Sequence, residues 1–141
     1  METKILSSAG FKHEFSIQEL YVLTRHWLGD IAFFEIEIKY FQSKLDLYPG
    51  RNDQYISRAD LLERQLNDVV FVKDTLKEKT THYHQKLEAL LDSPGKVNEA
   101  FLTLEYNRLE GEYGDFIRAF RQVKYAFFTA SAGSENAVEM A

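Results

Sequence analysis

Hydrophobic residues recur along most of this chain at alternating spacings of three and four. The first stretch of this repeat comprises Ile17, Leu20, Thr24, Trp27, Ile31, Phe34, Ile38, Phe41, Leu45 and Tyr48. The second comprises Tyr55, Ala59, Leu62, Leu66, Val69, Lys73, Leu76, Thr80, Tyr83, Leu87 and Leu90. The third comprises Leu102, Tyr106, Leu109, Tyr113, Phe116, Phe120, Val123, Phe127 and Ala130. Such spacing predicts three amphipathic helices packed like a coiled coil, and no strand pattern competes with it.

The boundaries of the first helix follow from its flanking residues. Ser16 and Glu19 have the spacing of a capping box, in which the serine hydroxyl and the glutamate carboxylate bond each other's backbone amides. Tyr48-Pro49-Gly50 is a stop signal. The sequence therefore predicts a helix over about 17–47.

Two further caps predict the other helices. Asn52 or Asp53 can cap a second helix over about 54–91, and Ser93, followed by proline, can cap a third over about 94–128. Because the connections are short, consecutive helices should be antiparallel. We expect an all-α fold, an antiparallel up-down-up three-helix bundle of long, coiled-coil-like helices.

The same pattern predicts how the chain is organised. Residues 16–128 form a single helical-bundle domain, preceded by a loose N-terminal arm over 1–15. Residues 129–141 are small and polar without a period, so we expect a disordered C-terminal tail.

Composition narrows the class of protein. Apolar residues make up 45% of the chain and charged residues 28%, with no unbroken apolar run long enough to span a membrane, so we exclude an integral membrane protein and bulk disorder. Cysteine is absent, which removes disulfides and thiolate sites and fits a cytoplasmic protein. The net charge of −5 argues against a nucleic-acid partner.

Three polar residues interrupt the apolar repeats. Folding the chain at its two turns places Thr24 level with Thr80, and Lys73 level with Asp30 and Asp115. We expect these residues to form polar layers that set the register, because buried polar groups need hydrogen-bond partners. The alternative role for Lys73 is a catalytic amine of lowered pKa in a water-poor site.

A second stripe on the first helix lies opposite its core repeat. It comprises Val22, His26, Gly29, Phe33, Ile36, Tyr40, Ser43 and Leu47. A solvated helix face would not carry so many large apolar residues, which are typical of an interaction surface. We therefore expect a homodimer built on this face, with Val22, Gly29, Phe33, Ile36, Tyr40 and Leu47 at the contact. The alternatives are that the N-terminal arm or a different protein covers it.

The sequence predicts no catalytic, cofactor or metal site. The chain has no Glu-x-x-His motif, no nucleophile motif and no glycine-rich phosphate loop. The favoured function is a non-enzymatic interaction or scaffold protein. One alternative is a small-ligand carrier lined by Tyr106, Tyr113, Asp30, Lys73 and Asp115. Another is a histidine phosphotransfer module using His26 or His84, since the segment after His26 loosely resembles a reactive-histidine segment but has Gly29 where a lysine is usual.

Overall fold

The described residues form three helices. The computed structural model describes residues 14–47, 58–93, 95 and 97–130, and only the helical backbone of 131–140. Helix α1 spans Ile17–Asp46, α2 spans Arg58–Asp92 and α3 spans Glu99–Met140. Each helix packs on the other two, which confirms the all-α three-helix bundle.

The N-terminus of α1 has the predicted capping box. The Glu19 amide donates to the Ser16 hydroxyl at 3.2 Å, and the Ser16 amide donates to the Glu19 carboxylate at 2.8 Å. Phe15, just before the cap, packs edge-to-face on Tyr106, and its amide donates to the Thr103 hydroxyl at 3.0 Å. Residue 15 therefore belongs to the bundle, whereas the rest of the predicted arm, except Glu14, lies outside the described residues.

Helix α3 begins at Glu99, five residues later than predicted. The Ser93 amide donates to the Ala89 carbonyl at 3.0 Å, so Ser93 completes the last turn of α2 instead of capping α3. Asn98 is the cap, because its side-chain oxygen accepts the Phe101 amide at 3.1 Å.

Helix α3 also continues to Met140, beyond its predicted end at about residue 128. Ala130 is buried in the core, which extends the packed surface beyond the predicted end. No proline interrupts this segment, and its alanines and glutamates have high helix propensity even where no apolar repeat is visible.

The three predicted apolar repeats form the core. Every described member of the repeats is buried except Trp27, Phe34, Leu90 and Tyr113, which are half-buried. The predicted members Tyr48 and Tyr55 lie outside the described residues. Packing of these stripes against one another, which removes large side chains from water, is the main source of stability for this bundle.

The relative heights of the helices show that α1 and α2 run antiparallel. Glu35, late in α1, contacts Lys73, and Thr24, early in α1, contacts His84 further along α2. Lys73 thus meets a residue five positions beyond the predicted Asp30. The prediction assumed that both helices start level at the turn, whereas the packing of the apolar stripes sets the height.

Candidate interaction surface

The second stripe of α1 is exposed to solvent along its length. The exposed fractions are 51% for Val22, 61% for Phe33, 66% for Ile36, 53% for Tyr40 and 82% for Leu47. At about 1.5 Å per residue the stripe is roughly 38 Å long. Large apolar side chains on one face of α1 are thus mostly uncovered by the described residues.

Gly29 lies in the middle of this stripe. A Cβ atom added there would meet no atom of the described residues within 4 Å, so none of their packing requires glycine at this position. Glycine in a helix interior costs about 1 kcal/mol relative to alanine. A close contact with another molecule at this point would explain why the helix has glycine instead of alanine.

An apolar groove between α1 and α3 extends the stripe towards one end of the bundle. Its volume is about 510 Å³. It is lined by Ile36, Glu37, Tyr40, Phe41, Arg121, Lys124, Tyr125 and Phe128. Tyr125 and Phe128 are 72% and 61% exposed. Sequence analysis missed both because they lie off the α3 repeat, although two large aromatic residues outside a repeat were a visible signal.

Thr24 and His84 form a polar contact between α1 and α2. The Thr24 hydroxyl lies 2.8 Å from Nδ1 of His84 and 2.9 Å from the Leu20 carbonyl, and the His84 ring stacks on Tyr21 at 4.4 Å. Thr80 is as fully buried as Thr24, but it lies one turn before His84 and does not bond Thr24. The predicted threonine layer is therefore wrong in its pairing.

The Thr80 hydroxyl is buried without a hydrogen-bond partner among the described residues. We expect Thr80→Val to raise the free energy of unfolding by on the order of 1 kcal/mol, because it removes an unsatisfied polar group. Urea denaturation measures the change. The matched control is Thr24→Val, which should lower the free energy of unfolding by about 1 kcal/mol because it breaks the contact with His84. Equal losses in both variants would contradict the expectation.

We expect His84 to make the stability of the fold depend on pH. Burial lowers its pKa, Arg25 lowers it further, and Glu88 acts in the opposite direction. Between this lowered pKa and the ordinary value of 6.5, the folded chain binds fewer protons than the unfolded chain, so stability falls as pH decreases through that window.

We expect His84→Gln to weaken this dependence. Urea denaturation at about pH 7.5 and about pH 5.5 should show a smaller loss of stability for His84→Gln than for the unmodified chain. The exposed neighbour His82 provides the control variant His82→Gln, which should behave like the unmodified chain. Identical losses in all three proteins would contradict the assignment to His84.

Lys73 lies in a salt bridge and has no free amine. Its ammonium donates to the Glu35 carboxylate at 2.9 Å and also to Asp74. Burial alone would lower the pKa of Lys73, but the bonds to Asp74 and Glu35 outweigh it and raise the pKa. The bond from Lys73 correspondingly lowers the pKa of Glu35. This lysine stays protonated, which does not fit a catalytic base or Schiff-base amine.

The other members of the predicted polar layer are apart from Lys73. Asp30 accepts a hydrogen bond from the Tyr113 hydroxyl at 3.1 Å, and Asp115 pairs with Arg118. The predicted meeting of Lys73 with these two carboxylates is wrong, because the axial offset of α2 brings Glu35 to its ammonium instead.

The two tyrosines suggested for a small-ligand cavity both pack against Trp27. The Trp27 ring stacks on Tyr106 at 4.7 Å and on Tyr113 at 5.2 Å. Burial raises the pKa of Tyr106 to about 12, and burial together with the bond to Asp30 raises that of Tyr113. These phenols remain neutral and serve the packing between α1 and α3.

The described residues offer few other sites. Among them, no group of three or more His, Asp or Glu side chains is placed to hold a metal ion. His26 is exposed on α1, as a member of the second stripe. No helix in the described part of the chain has the length and apolarity needed to cross a membrane. Comparison with protein-family models, curated proteins and solved structures finds no match to this chain.

Proposed function

We propose that this protein is a non-enzymatic helical scaffold that acts as a homodimer through the second apolar face of α1. The observation that carries the proposal is the exposure of Phe33, Ile36 and Tyr40, each above one half, on a helix whose opposite face is already buried in the core. Apolar surface of this extent is typical of an interaction site.

The size of the surface fits a stable contact. A complete aromatic side chain presents about 150–250 Å². With the exposed fractions of the stripe and of Tyr125 and Phe128, the apolar area is on the order of 800 Å² per subunit, comparable to one side of a standard protein interface. A second copy supplies an equal apolar area, so neither subunit leaves the other's surface uncovered.

A two-fold dimer is the simplest assembly that covers this face. In such a contact the same patch is used on both subunits, so the association closes without leaving either copy of this patch uncovered.

Light scattering coupled to size exclusion tests the proposal on the unmodified chain. We expect a mass of about 33 kDa, twice the subunit mass of 16.5 kDa, at micromolar concentration. A mass of 16.5 kDa over the whole concentration range would overturn the proposal and favour a different partner for the face.

A further inference from the structure

The spacing of the α1 stripe is the same in both directions along the helix. Its members follow one another at intervals of four, three, four, three, four, three and four residues, from Val22 to Leu47. When a second copy of the helix runs antiparallel, its stripe positions therefore coincide in height with those of the first. The centre of this arrangement lies midway between Phe33 and Ile36. A two-fold axis at that point therefore aligns all eight positions.

From this symmetry we propose that the two α1 helices of the dimer pair antiparallel, with Gly29 of each subunit against Tyr40 of the partner subunit. The inference rests on the proposed function and adds the register. Phe33 then faces the partner's Ile36, and Val22 faces the partner's Leu47. Each small residue thereby lies opposite a larger one, and the absence of a side chain at Gly29 gives the tyrosine ring room.

Size complementarity explains why glycine stands at position 29. Inside the subunit a Cβ atom at Gly29 would meet nothing within 4 Å. Tyr40 is 53% exposed, so a substantial part of its side chain has no contact within its own chain. Pairing the two residues across the axis covers the ring and brings the helices close together at the same point.

In this register the α1–α3 groove lies close to Phe33 of the partner subunit. At about 100° per residue, Phe33 is on the side of the stripe towards α3, where Glu37 pairs with Lys124 at 3.5 Å. A two-fold axis keeps the α3 sides of both copies on one side of the contact. Phe33 of the partner subunit is then at the height of Ile36, at the mouth of the groove.

Cysteine cross-linking tests the register, because the natural chain has no cysteine to interfere. We would prepare Val22→Cys and Leu47→Cys, which remove only the terminal contacts of the stripe, and oxidise each alone and as an equal mixture. A disulfide requires Cα atoms within about 4.4–6.8 Å. In the proposed register only the mixture brings two cysteines together, so cross-linked dimer should form there and not with either variant alone.

The other possible results of the cross-linking experiment distinguish an error in the register from an error in the proposed dimer. Cross-linking of Val22→Cys alone would indicate parallel helices and overturn the register while leaving the dimer intact. A dimeric mass with no cross-link in the mixture would also overturn the register, whereas a monomeric mass would overturn the proposed function. A mixture of Val22→Cys with Gln85→Cys, a site on α2, controls for random collision and should not cross-link.

Discussion

Phe33→Glu and Ile36→Glu should each convert the proposed dimer to a monomer that remains folded. Burying a large apolar side chain stabilises a contact by about 1.5–3 kcal/mol, and each substitution acts on both subunits. The dissociation constant should therefore rise by roughly 10²–10⁴-fold. Both positions are exposed in the subunit, so the melting transition of the isolated subunit should change little.

The matched control is Phe71→Glu. Phe71 is 72% exposed, more than Phe33, but it lies on α2, away from the stripe. Light scattering over a dilution series should show an unchanged dissociation constant for Phe71→Glu and a loss of dimer for the two α1 variants. Dissociation by all three variants would mean that added charge alone prevents association, and the α1 stripe would lose its assignment.

Phe116→Ala should be among the most destabilising substitutions in the core. Phe116 is fully buried in α3, and Phe34 and Phe120 pack against its ring at 5.3 and 5.8 Å. Replacing a buried phenylalanine by alanine costs about 3–5 kcal/mol, because the apolar contacts are lost and a cavity is left. Urea denaturation at one fixed protein concentration measures this loss.

Phe71→Ala serves as the comparison for the core. Its ring is mostly in water, so its removal should change the free energy of unfolding by less than about 0.5 kcal/mol. The slope of the free energy of unfolding against urea concentration should be the same in both variants as in the unmodified chain if unfolding remains cooperative. A loss below about 1 kcal/mol for Phe116→Ala would contradict the close packing of the aromatic residues between α1 and α3.

Much of the fold was predictable because local sequence determines it. The capping box at Ser16 and Glu19 depends on atoms only three residues apart, and its predicted bonds are confirmed. The apolar repeats depend on a helical period that the chain repeats many times, and the described members are buried or half-buried. The start of α3 was wrong because Ser93 and Asn98 are both good caps, and the choice depended on whether α2 used the Ser93 amide.

One part of the candidate surface was also predictable from the sequence, and another part was not. The exposed stripe of α1 was visible as a second repeat on one helix, but the groove with Tyr125 and Phe128 requires knowing which side of α3 faces α1. Those residues are more than eighty positions from the α1 residues they meet. No local pattern relates them.

The sequence by itself determined three helices, their apolar faces and the extra stripe on α1, because each depends on side chains within a few turns of one another. Only the tertiary structure decided that Lys73 meets Glu35, that Thr24 meets His84 and that a groove opens between α1 and α3. Those contacts depend on the axial offset between helices. That offset is set by how whole apolar faces interlock, and a seven-residue repeat allows several offsets of similar apolar burial.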